Sequence, residues 1–136
     1  MREVDWTSSI LTVRVSGRSS FDSVLEGVSS LTADTRFDSL RFIVVDFLDA
    51  EWEDSDFRHS LEDLLAIMIG AAVSNRQVRV AIITENESIR ALVDVLEEHS
   101  QGMAPKLVAF FDRESVESWI AEHPRPSRPS MRFRPR

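Results

Sequence analysis

The 136-residue chain contains no cysteine, so disulfides, thiolate nucleophiles and cysteine-rich zinc sites are excluded from the start. No apolar run approaches the ~20 residues that a membrane-spanning helix requires. The opening "MREVDWTSS" places no apolar signal stretch behind its single arginine. A cytoplasmic protein without membrane insertion is the expectation. Glycine is scarce, and Gly17, Gly27, Gly70 and Gly102 are too scattered for a G-x-G-x-x-G or P-loop phosphate cradle. "SGRSS" does not make a G-x-S-x-G nucleophile elbow. The three histidines, His59, His99 and His123, lack H-x-x-x-H spacing and read as exposed helix residues. No cofactor is expected.

Positive charge is thin and unevenly placed. The net charge is −7, but the tail "PRPSRPSMRFRPR" (124–136) holds five arginines and no acid, so residues 1–123 sum to −12. Such a body repels nucleic acid. The tail is too rich in proline and arginine to bury enough apolar surface to order itself. It reads as a disordered, solubilising end, with contact to an anionic surface or to an acidic neighbouring subunit as the alternative.

What is present is a regular alternation of strand and helix patterns. "EVDW" and "ILTVRVSG" read as strands around a turn at Thr7, Ser8 and Ser9, with Leu11, Val13 and Val15 on one face of the second. Phe21, Val24, Leu25, Val28 and Leu31 fall at helical spacing behind an N-cap at Ser19 or Ser20. "LRFIVVDF" is apolar on both faces, as a central strand covered on each side must be. "VRVAIIT" and "KLVAFF" repeat that pattern more weakly. Between them, Ile89, Leu92, Val93 and Leu96 form an amphipathic stripe, with Thr84 and Glu87 at capping-box spacing. A last helix carries Val116, Trp119 and Ile120 after Asp112, and Pro124 closes the fold. The order β-β-α-β-α-β-α-β-α predicts one α/β domain over residues 1–123, with a mixed, mostly parallel five-stranded sheet and helices on both faces.

The helix predicted over about 56–74 differs from the others. "LLAIMIGAAV" runs ten residues without a charge, and a helix apolar all round must be covered all round. A homodimer contact through Leu64, Leu65, Met68 and Ile69 is the expected cover, with a buried ligand or a neighbouring helix as alternatives.

The acidic stretch "FIVVDFLDAEWEDSDF" (42–57) is the candidate site. Asp46 falls at the predicted carboxyl end of a central strand, where open α/β sheets bind ligands. Asp49, Glu51, Glu53, Asp54 and Asp56 follow, and hard cations use such oxygens. The stretch does not fit a response-regulator receiver, which needs an acidic pair after an earlier strand and a lysine after a later one. The earlier strand ends in Ser16-Gly17 instead of an acidic pair, and Lys106 opens its strand instead of closing it. The simplest reading is a solvated loop whose last acids favour the next helix through its dipole, with no tightly bound metal. Of the interleaved aromatics Phe47, Trp52 and Phe57, an exposed Trp52 would suit a protein contact.

The element order, the V-D-F strand end followed by D-A, and the acidic-serine approach to the next helix resemble the STAS superfamily, in particular small bacterial SpoIIAA-like proteins. The resemblance covers about residues 1–123. It implies a mainly parallel sheet flanked by helices and action through protein contacts instead of catalysis. In antagonist members a serine at the start of the following helix is phosphorylated. The nearest match here is Ser55, without the glycine of the family's D-S-x-G-L-like context. Related folds include lipid-binding proteins. The expectation is a non-enzymatic regulatory or protein-interaction module, a homodimer, whose partner-facing loop holds Asp46, Asp49, Trp52 and Ser55. The alternative is a binding protein for a small apolar or anionic ligand at the carboxyl ends of the strands. A metal enzyme built on the acidic loop comes third. As a helix N-cap, Ser55 would accept a first-turn amide hydrogen bond, and this role is preferred to phosphorylation because neighbouring acids would repel the added charge.

Overall fold

Thr7 makes the first turn. Its hydroxyl donates to the Ile10 carbonyl at 3.0 Å and accepts from the Ile10 amide at 2.9 Å, closing a hairpin between β1 (Arg2–Trp6) and β2 (Ile10–Ser19). The computed structural model describes residues 2–52, 61–100 and 105–123. Along these run α1 (Phe21–Ala33), β3 (Phe42–Trp52), α2 (Leu61–Ser74), β4 (Arg79–Ile83), α3 (Glu87–Ser100), β5 (Lys106–Phe110) and α4 (Arg113–Ala121). The five strands lie in chain order, β1-β2-β3-β4-β5. β1 pairs antiparallel with β2, and every other pairing is parallel. The expected mixed α/β sheet with helices on both faces is the observed one.

Three successive crossovers advance in the same direction, and right-handed crossovers of that kind keep their helices on one face. Accordingly Phe21 of α1, Leu64 and Met68 of α2, and Ile89, Val93 and Leu96 of α3 share one buried cluster over Leu107 of β5. α4 covers the opposite face, where Val116 joins Val44, Ala81 and Ile83. β3 lies between these layers with Phe42, Ile43, Val44 and Phe47 all buried, which is why its sequence shows no polar face.

Helix starts follow local capping chemistry. Ser20 caps α1 in a reciprocal box with Ser23, and Asp112 caps α4 by accepting from the Ser115 amide at 2.8 Å. The expected Thr84–Glu87 box does not form. α3 begins at Glu87, so its cap is Asn86, whose side chain accepts from the Ile89 amide at 3.0 Å. Thr84 is buried and accepts instead from the Asn86 amide.

Two features went unread in the sequence. Thr35–Ser39 forms a short 3-10 helix that drives Phe37 into the core, and so short a turn has no periodicity to detect. At the loop after α2, Asn75 is buried with its side chain fully used. Its Nδ2 donates to the carbonyls of Phe37 at 2.7 Å and Leu40 at 2.8 Å. Its Oδ1 accepts from the amides of Gln77 and Val78, each at 3.1 Å.

α2 requires a correction. Leu64 and Met68, expected on a subunit contact, are 6% and 9% exposed within the single chain and belong to its core. Leu65 packs partly buried against the same cluster, and Ile69 is half-buried. The outward side is Ala66, Gly70 and Val73, the last 74% exposed. Periodicity could not separate the two sides because both are apolar.

Candidate functional site

β3 does not end near Asp46. β4 stops opposite it, at Ile83, but β3 runs on with β2 to Trp52. The pairing steps from Arg14↔Asp46 to Ser16↔Asp49, so β3 carries an extra residue there and bulges. A bulge frees a backbone amide, and Asp46 answers it: its Oδ1 accepts from the Leu48 amide at 3.0 Å. Beyond the bulge, Gly17 of β2 takes φ +78°, a left-handed conformation that disfavours other residues. Asp49 and Glu51 are therefore exposed residues of a paired strand, which corrects the expectation of a solvated loop. Ser55, His59 and the acids Glu53, Asp54 and Asp56 lie outside the described residues.

The Asp46 carboxylate is 3% exposed. A buried charge requires a partner, and it has two. Arg113 Nε, at the start of α4, donates to Oδ2 at 2.5 Å, and Arg14 Nε on β2 lies 3.7 Å from the same oxygen. Arg113 also approaches Asp49 at 3.8 Å. The hydrogen bond and charge of Asp46 raise the Arg113 guanidinium above its ordinary range. The cluster is a strut that fastens α4, β2 and the β3 bulge together. Sequence reasoning found Asp46 but missed both arginines, since neither spacing nor composition links positions 14, 46 and 113. Nearby, Arg90 of α3 stacks its guanidinium 3.6 Å from the centroid of the Phe111 ring. Among the described residues no group of three His, Asp or Glu side chains is placed to hold a metal ion, and no helix is long and apolar enough to cross a membrane.

Trp52 is half-buried. It packs edge-to-face on Phe47, with ring centroids 5.0 Å apart, and belongs to the core beneath α1–α3. Under it the core is incompletely filled. A cavity of about 130 Å³ with wholly apolar walls, among them Phe21, Phe47, Trp52, Leu64, Met68 and Leu92, separates the helices from the sheet.

No family model matches the chain, and no curated protein matches it in sequence. Solved structures do match in shape. The anti-sigma factor antagonist SpoIIAA in its unphosphorylated form aligns with TM-score 0.54 and 11% identity, over 90% of this chain and 98% of its own. The phosphorylated form of SpoIIAA, the Bacillus cell fate determinant, aligns at 0.52 and 10%, over 88% and 99%. The fold is SpoIIAA-like, of the STAS type. An uncharacterised Shewanella loihica protein with a SpoIIAA-like fold aligns at 0.52 and 15%, over 88% and 91%. At these identities the likeness establishes the STAS-type architecture, and the side chains of the site have to be read from this chain alone.

Proposed function

We propose that the chain is a non-enzymatic regulatory module, working in the cytoplasm, that binds a protein partner at the carboxyl end of its STAS-type sheet. The observation that carries this reading is the state of Asp46. The carboxylate best placed for chemistry is committed to the Leu48 amide, Arg113 and Arg14, while Asp49 and Glu51 beside it face solvent. The SpoIIAA structures, described as an antagonist of an anti-sigma factor, support protein contact as the mode of action. Immobilised chain should retain a partner in stoichiometric amount from native lysate, and the double variant Asp49→Lys/Glu51→Lys should lose it. Equal retention by the variant counts against the site, and no retained protein counts against the reading.

Within the same proposal two copies pair through the outward side of α2, around Ala66, Gly70 and Val73, which the described chain leaves uncovered. Sedimentation should report a dimer that Val73→Asp converts to a folded monomer; a native monomer at high concentration removes this part.

The apolar cavity favours a second reading, a binding protein for a small apolar ligand. Apolar space of this volume accepts molecules of about benzene size. Benzene should raise the melting temperature of the native protein and quench or shift tryptophan emission through Trp52, and Leu92→Trp, which fills the space, should abolish both effects. No shift at saturating benzene eliminates this reading.

A further inference from the structure

At the opposite edge of the sheet, the amino ends of the parallel strands surround a cleft of about 390 Å³ lined by Arg41, Arg76, Arg79, Lys106, His123 and Phe42. Five of the chain's sixteen lysines and arginines lie after His123, which leaves eleven for the acidic body. Four of those eleven line this cleft. In a body of charge −12 that concentration runs against the general trend.

The strand register explains how the cations come together. Phe42, Arg79 and Lys106 are successive cross-strand partners on β3, β4 and β5, so their side chains share a face and neighbouring strands hold them about 4.8 Å apart. Like charges in that relation destabilise a sheet unless something neutralises them. Lys106 has Glu97 at 3.2 Å. Arg41 is steadied by donating to the His123 carbonyl at 2.9 Å. Among the described residues no carboxylate pairs with Arg76 or Arg79.

The cleft is also held rigidly. The Asn75 side chain ties the 75–78 loop to Phe37 and Leu40 through four hydrogen bonds. The Arg79 amide donates to the Arg41 carbonyl at 2.9 Å, and the Arg41 amide to the Ser9 carbonyl at 2.7 Å. A backbone fixed in this way loses little freedom when a ligand arrives.

We propose that this cleft is a binding site for a small phosphorylated ligand. Arginines from two strand starts and a loop line the one cleft, an arrangement suited to the several oxygens of a phosphate; a planar carboxylate is satisfied by a single bidentate arginine. The space exceeds a bare phosphate, which leaves room for the rest of a small ligand. The site is separate from the carboxyl-end surface and does not depend on the partner reading.

Pyrophosphate titrated into the full chain and followed by amide NMR tests the site. The expected result is saturable shifts confined to residues 41–42, 76–79 and 106, weakening as salt rises. Arg76→Gln/Arg79→Gln should loosen binding at least tenfold, and Arg14→Gln at the far end should leave it unchanged. The same spectra report whether each variant is folded, and Arg76→Gln alone, in an exposed loop position, should still weaken binding severalfold. Shifts that never saturate, an equal loss in Arg14→Gln, or citrate binding as tightly as pyrophosphate would overturn the proposal.

Discussion

At the carboxyl end of β3, Asp46 is buried against Arg113 and Arg14, whereas at the amino end Arg79 stands beside Lys106 without a carboxylate of its own among the described residues. The first arrangement is closed: each charge is answered within the chain, and the result is mechanical, a helix fastened to a bulged strand. The second is more open: register sets Arg79 beside Lys106, and only Lys106 is answered by a carboxylate, Glu97, among the described residues. A sequence draws attention to charge that is contiguous, as in the acids of 46–56. Contiguity does not tell these fates apart, because the first of those acids is consumed internally while arginines far apart in sequence line one cleft.

The strongest way to break this comparison is to remove what organises the amino end. Asn75→Ala leaves two carbonyls and two amides without their side-chain partner in a buried place. Each such group costs about 1–3 kcal/mol, partly relieved where water enters, so a net loss of about 3 kcal/mol is expected from urea denaturation. Asn75→Asp should recover little, since a carboxylate cannot donate to Phe37 and Leu40. Wild-type stability in Asn75→Ala would mean that the loop holds its shape unaided.

The carboxyl end should respond less. Asp46→Ala frees Arg113 and Arg14, but each is 47% exposed and can turn to water, so the loss is the Leu48 amide bond and the anchoring of α4. About 2 kcal/mol is expected by denaturation, with Asp46→Asn near half of that because the amide oxygen can still accept from Leu48. Hydrogen exchange should quicken first in α4. A variant that unfolds outright would show that the strut holds more than one helix in place.

How much of this was legible follows from which signals are local. The two-sided apolar pattern of β3, the Asp112 cap and the stripe of α3 are short-range, and the sheet with its helices could be read from them. The β3 bulge, the sides of α2 and the Asp46–Arg113 pair, 67 positions apart, depend on what the chain folds against. Asn75 reads in sequence as an ordinary turn residue after a helix; nothing marks it as a buried hub. The amino-end cleft has the same origin, since register alone brings Arg79 and Lys106 together.

The smallest expected effect comes from an exposed ion pair of the amino end, Asp34 with Arg36. Asp34 caps the 3-10 helix by accepting from the Arg36 amide at 2.9 Å and meets the Arg36 side chain at 2.9 Å. Arg36 in turn lies 3.9 Å from the centroid of the Trp6 ring. The Arg36 hydrogen bonds hold the Asp34 carboxyl down at about 2, against an ordinary 3.8. A depressed folded-state value means that the carboxylate's stabilisation is fully present above the unfolded value near 4 and is lost as pH falls through about 2. The pair is solvent-exposed, so its contribution is small and screened by salt. Acid titration of the Asp34 side-chain carboxyl by NMR should show a midpoint near 2. Asp34→Asn, which can still cap, should flatten the stability profile between pH 4 and 2 and lower neutral-pH stability by the same small amount. An unshifted midpoint near 4 would mean that Arg36 spends its time on Trp6 and not on the carboxylate, and the amino end would then carry one more cation without an acidic partner.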